Sequence, residues 1–225
     1  DQSLYSEYAR LQEQEALQRQ YGEDGSTPLK LACRDGDVVS LQRLLSQAEE
    51  EEEVASAFLV ACDYAQEHCC AALFDRVTNT DNLTAGLLRC VNPKSDFSLT
   101  VHDRQRETIV RQLLTRDSVV NSGSESSAID HALWCSSKNG FVGCTKLLLS
   151  AKANVNAADK DYGRTALWVA AFKGQRACLE VLLAAKADVE LGCGNDSMSA
   201  TCMGAQQGHL RVLQLLIDAK ADITR

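Results

Sequence analysis

Proline, aromatic side chains and long apolar runs are all scarce in this sequence of 225 residues. It contains only 2 prolines, and aromatic residues make up 5% of the chain, whereas alanine and leucine are abundant. Because aromatic residues favour strands and alanine and leucine favour helices, this composition favours helix over strand. No run approaches the roughly 18–20 apolar residues that span a bilayer, so we expect no membrane span. With 45% hydrophobic residues, the chain can still form a sizeable core.

A surplus of positive charge is also missing. The net charge is -8 and the isoelectric point is near 5.0. Since nucleic acids and anionic membranes attract basic surfaces, neither is expected as the main partner. The sequence begins at Asp1 without a methionine or an apolar leader, from which we expect a processed form or part of a longer chain.

Cysteine, in contrast, is plentiful, with 10 residues in the chain. Six of them lie within apolar helical patterns rather than in loops: Cys33, Cys62, Cys69, Cys70, Cys144 and Cys178. This placement favours buried thiols over structural disulfides. We therefore expect an intracellular, reducing compartment, most simply the cytoplasm, with an organelle matrix or stroma left open.

The strongest pattern is an internal repeat of 34 residues. Ten-residue segments that begin at 131, 165 and 199 each end on glycine, and a second apolar block and a Lys-Ala pair follow: HALWCSSKNG, TALWVAAFKG and SATCMGAQQG. In the middle segment Ala166, Leu167 and Ala170 recur at helical spacing. Gly174 stands where that helix must end and the chain reverse. Each unit is therefore predicted to be a helix, a glycine turn, a second helix and a short hairpin tip.

Fainter copies precede the regular ones. Residues 25–45 have the same arrangement, and residues 56–74 repeat it 29 positions later. A third copy is expected to begin near Thr84, with an insertion near 92–107 between its two helices. Because a two-helix unit is too small to bury its own apolar face, the units must stack on one another. We predict an all-α solenoid of about six helix-turn-helix units.

The repeated residues resemble the ankyrin repeat family. The matching residues are Thr27-Pro28-Leu29, Gly163, Thr165-Ala166-Leu167, Ala170-Ala171, Gly174 and Gly208-His209, with unit ends of the form Leu-Leu…Ala-Asp-Val/Ile. The resemblance is strong over 124–225, good over 24–45 and weak over 46–123. The sequence departs from the family where Lys-Ala replaces the usual Gly-Ala. It also departs where the usual histidine is replaced, by Lys30, Trp134, Trp168 and Cys202.

The chain is divided into four parts on this basis. Residues 1–22 are expected to hold a polar helix that either caps the first repeat or docks on a partner. Irregular ankyrin-like repeats follow over 23–120, then a polar joint over 121–127 and three regular repeats over 128–225. The last repeat ends on apolar residues without a polar cap helix, so we expect that something follows or covers it.

No pattern in the sequence predicts catalysis. The densest group of reactive residues is the run at 67–70, Glu-His-Cys-Cys. On a helix Cys69 and Cys70 point about 100° apart, so they cannot readily share one tetrahedral ion. Cys69 also occupies the repeat position of Cys144 and Cys178, which indicates a core residue. We expect no catalytic residue, no cofactor, no metal and no small-molecule substrate.

The resemblance implies that a protein partner binds the concave face, which consists of the hairpin tips and the exposed ends of the first helices. Residues before each glycine and at the tips are the implied contacts: Arg34, Asp35, Lys138, Asn139, Tyr162, Arg164, Phe172, Lys173, Gln206 and Gln207. Because aromatic and arginine side chains dominate interface hot spots, Tyr162, Arg164 and Phe172 form the expected anchor group. The alternative for Phe172 is a surface ring that packs on Trp168 or on the neighbouring tip.

Two functions are compatible with this pattern. The first is a non-catalytic interaction module or scaffold subunit that binds a protein partner, either a single protein or a large multi-subunit assembly. The second is a regulatory ankyrin segment of a larger enzyme whose catalytic domain lies outside this chain. The sequence beyond Arg225 would distinguish them.

Overall fold

The structure, a computed structural model, describes residues 26–48, 50–93, 103–116, 119, 128–191 and 198–219. The expected N-terminal helix within 1–22 and the polar joint at 121–127 lie outside the described residues. None of the helices in these described ranges is both long and apolar enough to cross a bilayer.

The structure describes twelve α-helices, and Ala158 and Thr165 form an isolated antiparallel bridge. In chain order the helices are α1 (Pro28–Asp35), α2 (Val38–Leu45), α3 (Glu51–Asp63), α4 (Glu67–Phe74), α5 (Thr80–Val91), α6 (Asp103–Leu113), α7 (Ala128–Asn139), α8 (Val142–Ser150), α9 (Ala166–Phe172), α10 (Arg176–Ala184), α11 (Ala200–Gln206) and α12 (Leu210–Asp218). Consecutive helices pair as six units, which confirms the prediction of an all-α solenoid.

The units stack so that the helices form two layers. The odd-numbered helix of each unit packs on the odd-numbered helix of the next, and the even-numbered helices pack on each other in the same way. One continuous apolar core runs between the layers from Leu29 in α1 to Leu216 in α12. The stacking continues from α5 to α7 and from α6 to α8, where the irregular repeats meet the regular ones.

Hydroxyl side chains begin the first helix in three of the units. Thr27, Thr165 and Ser199 stand before α1, α9 and α11, and each side-chain oxygen accepts a hydrogen bond from a backbone N–H three residues later. Such a cap satisfies one of the donors that a helix leaves unpaired at its start. Asn79 caps α5 through its amide oxygen, which accepts from the backbone N–H of Asp81, two residues later, so α5 begins at Thr80 rather than near Thr84 as the sequence pattern indicates.

A left-handed residue ends the first helix in most units, and glycine fills that position at Gly36, Gly140, Gly174 and Gly208. The φ angle of Gly174 is 70°, a region that glycine enters at little cost. A Cβ at this position would also lie only 2.8 Å from the ring of His209. Conformation and space therefore both require the glycine that the repeat pattern predicts.

In three units the residue after the turn binds the preceding unit. Gln66 donates to the carbonyl of Arg34 at 3.0 Å, and Gln175 donates to that of Lys138 at 3.4 Å. His209 Nε2 lies 3.2 Å from the carbonyl oxygen of Phe172, at the equivalent repeat position. We call this contact the cross-unit cap, because it satisfies a carbonyl at the end of the neighbouring first helix.

The third unit lacks this turn and makes the cap differently. Its second helix, α6, begins at Asp103, so residues 103–107 of the expected insertion are helical. Arg106 of α6 is 0% exposed and donates to two first-helix carbonyls, those of Cys90 at 2.6 Å and Asp63 at 3.3 Å. The Asp63 carbonyl is the one that a cross-unit cap would satisfy here, so Arg106 takes the place of a glutamine or histidine.

Candidate functional site

The thiols belong to the core and do not line an open site. Of the nine cysteines in the described residues, eight are buried and Cys202 is half-buried. In the run at 67–70 His68 is exposed, whereas Cys69 and Cys70 are buried. Burial raises the pKa of the Cys135 thiol to about 11. Within the part of the chain that the structure describes, no three His, Cys, Asp or Glu side chains are placed to hold a metal ion.

Among the described cysteines we expect Cys202 to react first with iodoacetamide in the native protein. A thiolate is the nucleophile, and burial keeps thiols such as Cys135 both protonated and shielded. Peptide mass spectrometry after a short reaction at mildly alkaline pH would measure the modified fraction at each cysteine, with a guanidinium-unfolded sample as the control. Rapid native alkylation of Cys135 or Cys178 would contradict this arrangement.

A second apolar cluster meets the continuous core through Trp134 and lies on first helices α7, α9 and α11. It contains Trp168, Val169 and Met203, which are buried, with Trp134 and Phe172 packed against them. We call Trp134, Trp168, Phe172 and Met203 the aromatic patch. Trp134 and Trp168 occupy one repeat position, 34 residues apart, so the rings come from the same point on adjacent units.

The rings of the patch are held in fixed orientations. Phe172 is half-buried and stacks on Trp168 with 5.5 Å between ring centroids and 16° between planes. The indole nitrogen of Trp168 donates to the carbonyl oxygen of Met198 at 3.0 Å, which ties the ring to the next hairpin tip. The packing of Phe172 on Trp168 is therefore real, and a role for its exposed edge in partner binding stays a prediction.

Three cations surround the patch, each over an aromatic ring. The guanidinium carbon of Arg164 lies 4.3 Å from the ring centroid of Tyr162, 5.5 Å from that of Trp134 and 6.0 Å from that of Trp168. The ammonium of Lys138 lies 5.6 Å from the Trp134 centroid. That of Lys173 lies 5.3 Å from the Phe172 centroid. Such contacts are attractive because the face of an aromatic ring is negative.

The hairpin tip beside the patch is organised by Asp159. Its carboxylate accepts hydrogen bonds from the backbone N–H groups of Tyr162 and Arg164 at 2.8 and 3.2 Å, and from Arg164 Nε at 2.6 Å. Burial acts to raise the pKa of Asp159, but these hydrogen bonds and the Arg164 charge outweigh it and lower the pKa. The tip is thus tied to its own arginine, while Tyr162 remains 62% exposed.

An open cleft of about 350 Å³ separates this tip from the start of α7. Its walls include Asp130, His131 and Trp134 on α7 and Asp159 and Asp161 on the tip. Trp134 therefore contributes to both the cleft and the aromatic patch.

The structure gathers five of the ten predicted contact residues around the patch: Lys138, Tyr162, Arg164, Phe172 and Lys173. The other five lie elsewhere or are engaged within the protein. Arg34 and Asp35 form an exposed ion pair of 2.9 Å in the first unit. Asn139 donates to the carbonyl oxygen of Val91 at 2.8 Å, and Gln206 and Gln207 are exposed at the end of α11.

Sequence reasoning missed Trp134 and Trp168 as members of this surface. Their signal was present, since both stand where the ankyrin family usually has histidine, in consecutive units. A large ring in place of a small polar one, twice at the same repeat position, indicates a surface rebuilt with apolar area.

These features together define a class of protein, a repeat solenoid whose stacked helix pairs present a continuous surface of helix ends and hairpin tips. The comparisons with known proteins make the class more specific. Residues 99–193 match the family model described as ankyrin repeats (3 copies). The fold is similar to the crystal structure of the human ASB11 ankyrin repeat domain, with a TM-score of 0.69 and 22% sequence identity over 89% of this chain and 86% of that chain. Residues 99–193 are therefore assigned to ankyrin repeats, and the described chain has the fold of an ankyrin repeat domain.

Proposed function

We propose that this protein is a non-catalytic interaction module that holds a protein partner against the aromatic patch. Ankyrin repeats are in general protein–protein interaction modules, which supports this class of function. The observation that supports this location is the patch itself, an apolar cluster that meets the main core through Trp134 and is surrounded by Lys138, Arg164 and Lys173.

The chemistry of the patch suits an interface. Aromatic and arginine side chains provide most of the binding energy at interface hot spots. Association is also costly when flexible side chains must be ordered, at about 0.5–1.5 kcal/mol for each. Here the Trp168 ring is already held by Phe172 and by the Met198 carbonyl, and Arg164 by Asp159. A partner would therefore meet a surface that needs little further ordering.

We expect Phe172→Ala to lower the amount of partner that the tagged protein retains by about tenfold, because an aromatic anchor contributes roughly 1–2 kcal/mol. Quantitative mass spectrometry after affinity purification would compare this variant with the wild type. Val39→Ala is a matched control, since Val39 is 78% exposed on α2 in the other layer. Circular dichroism and thermal melting would show that both variants fold.

Two outcomes of this comparison distinguish docking on the aromatic patch from docking elsewhere. Loss of the same proteins by Phe172→Ala but not by Val39→Ala supports docking on the patch. If both variants retain every protein at wild-type levels, the patch is not the docking surface and the proposal fails.

A further inference from the structure

We infer that the partner segment bound at the aromatic patch is acidic, with an apolar side chain that contacts Phe172 and carboxylates on either side of it. This inference rests on the proposed function and adds the chemistry of the partner. It is supported by the ammonium groups around the patch that form no ion pair among the described residues.

Two lysines at the patch form no ion pair with a carboxylate of the described residues. Among the described residues, the ion pairs of the first-helix layer and its tips are Arg34–Asp35, Arg89–Asp63 and Arg164–Asp159. Lys138 and Lys173 form no such pair within the described ranges, and each ammonium stands over an aromatic ring instead. An ammonium has three N–H donors, so each lysine can donate to a carboxylate of the partner without losing an internal bond.

The positive charge at the patch contrasts with the net negative charge of the protein. The protein carries a net charge of -8, which disfavours an acidic partner over most of its surface. The patch combines the half-buried rings of Trp134 and Phe172 with two lysines that form no ion pair among the described residues. An acidic segment would therefore be attracted at the patch and repelled elsewhere, which gives location as well as affinity.

A basic partner in the neighbouring cleft fits less well, because two of the three acidic side chains of the cleft are already engaged within the protein. Asp159 accepts three hydrogen bonds from Tyr162 and Arg164 and is paired with the Arg164 charge. Asp130 accepts the backbone N–H of Asn154 at 2.6 Å. Asp161 remains exposed, but it follows Lys160 directly and the two formal charges cancel.

The positions of the lysines also suggest a spacing for the partner's carboxylates. Lys138 is at the end of α7, and Lys173 follows the end of α9, the next first helix in the stack. The axes of packed helices lie about 8–10 Å apart, so a partner segment that reaches both lysines must cross two neighbouring units. Phe172 immediately precedes Lys173 in α9, which places the apolar anchor beside one of the two carboxylates.

Intrinsic fluorescence offers a direct test, because the chain has only 2 tryptophans, Trp134 and Trp168, and both belong to the patch. Three tryptophan-free peptides would be titrated: a Leu-Phe centre flanked by glutamates, the same peptide with lysines for glutamates, and the acidic peptide with alanines for Leu-Phe. We expect the first to change the tryptophan emission and to bind about tenfold or more tightly than the other two. Added salt should weaken it.

Charge-reversed variants locate the effect. Lys138→Glu/Lys173→Glu should weaken binding of the acidic peptide by about tenfold or more, and Lys138→Gln/Lys173→Gln by less. The control, Lys146→Glu/Arg211→Glu, makes the same change in net charge at exposed positions of α8 and α12 and should bind as the wild type does. Circular dichroism would check the fold of each variant.

The inference is overturned if the acidic peptide leaves the emission unchanged, if the basic peptide binds as tightly, or if the α8/α12 control loses binding equally. These results are distinct from failure of the proposed function. A partner that Phe172→Ala releases but lysine reversal retains would leave the function standing and remove its acidic chemistry. Retention of all partners by Phe172→Ala would remove the function itself.

Discussion

Replacing Arg106 with alanine is expected to destabilise the protein by about 3–5 kcal/mol, because it leaves buried polar groups without their partner. Arg106 donates to the carbonyl oxygens of Cys90 and Asp63, and its guanidinium carbon lies 5.3 Å from the ring centroid of Phe141. It therefore joins α3, α5 and the start of α8 through one side chain. Alanine removes all three contacts and leaves a cavity where the side chain was.

The closest conservative change should restore little of this stability. In Arg106→Lys one ammonium group can reach a single carbonyl, and it lacks the flat face that lies over Phe141. We expect the free energy of unfolding of Arg106→Lys to lie between that of Arg106→Ala and that of the wild type. Arg104→Ala on the same helix is the matched control, since Arg104 is exposed, and it should change the free energy of unfolding by less than about 0.5 kcal/mol.

Guanidinium denaturation followed by circular dichroism would measure these differences. If Arg106→Ala unfolds at the same denaturant concentration as Arg104→Ala, Arg106 does not join the units as the geometry indicates. Because α6 lies in the middle of the stack, loss of the contact should also lower the cooperativity of unfolding.

The role of Arg106 also shows where sequence reasoning stops. The helices of the regular units could be predicted because apolar residues and a turn glycine recur at a fixed interval, and periodicity encodes which face is buried. Arg106 lies in a polar stretch, and its two acceptors are 16 and 43 residues away in the chain. No local pattern predicts that a charged residue in such a stretch is buried, since the carbonyls that stabilise it are brought there by tertiary stacking.

The candidate site was predicted in part for a similar reason. Repeat positions located Arg164, Phe172 and Lys173 at the surface of the stack, and the structure places them together. What the repeat could not give was the pairing of each charge, such as the tie between Arg164 and Asp159. The conformation of the lysine that replaces the family's glycine in each Lys-Ala pair could be seen only in the structure of the backbone. Lys152 and Lys186 adopt φ angles of 66° and 63°, the left-handed conformation for which the family's glycine is suited.

We expect the effect of Gly86→Ala on the free energy of unfolding to change sign when the residue at position 58 is changed. In the wild type a Cβ at Gly86 would lie 2.6 Å from Phe58 Cε1 and 3.3 Å from the sulfur of Cys62. Both neighbouring side chains are fully buried and have no space into which to move. The substitution should therefore destabilise the protein by about 1–3 kcal/mol, although alanine is the better helix former in α5.

Phe58→Ala alone should cost about 3–5 kcal/mol, because it opens a cavity between α3 and α5. In that background the Gly86→Ala methyl enters the vacated space and gains the helix preference of alanine over glycine, about 1 kcal/mol. The second substitution should then stabilise the protein. Denaturant unfolding of the wild type, both single variants and the double variant would give the coupling energy, expected at about 2–4 kcal/mol.

Gly143→Ala in α8 provides the control for helix preference. The three atoms nearest to a Cβ there belong to the side chain of Glu107, which is half-buried and can move aside. This substitution should therefore be neutral or stabilising by up to about 1 kcal/mol, whatever stands at position 58. If Gly86→Ala has the same effect in the presence and absence of the Phe58 ring, the close contact between α3 and α5 does not determine the choice of glycine. A reversal of sign would show that Gly86 is there to admit the Phe58 ring, so that side-chain fit between α3 and α5 determines the choice of residue at position 86.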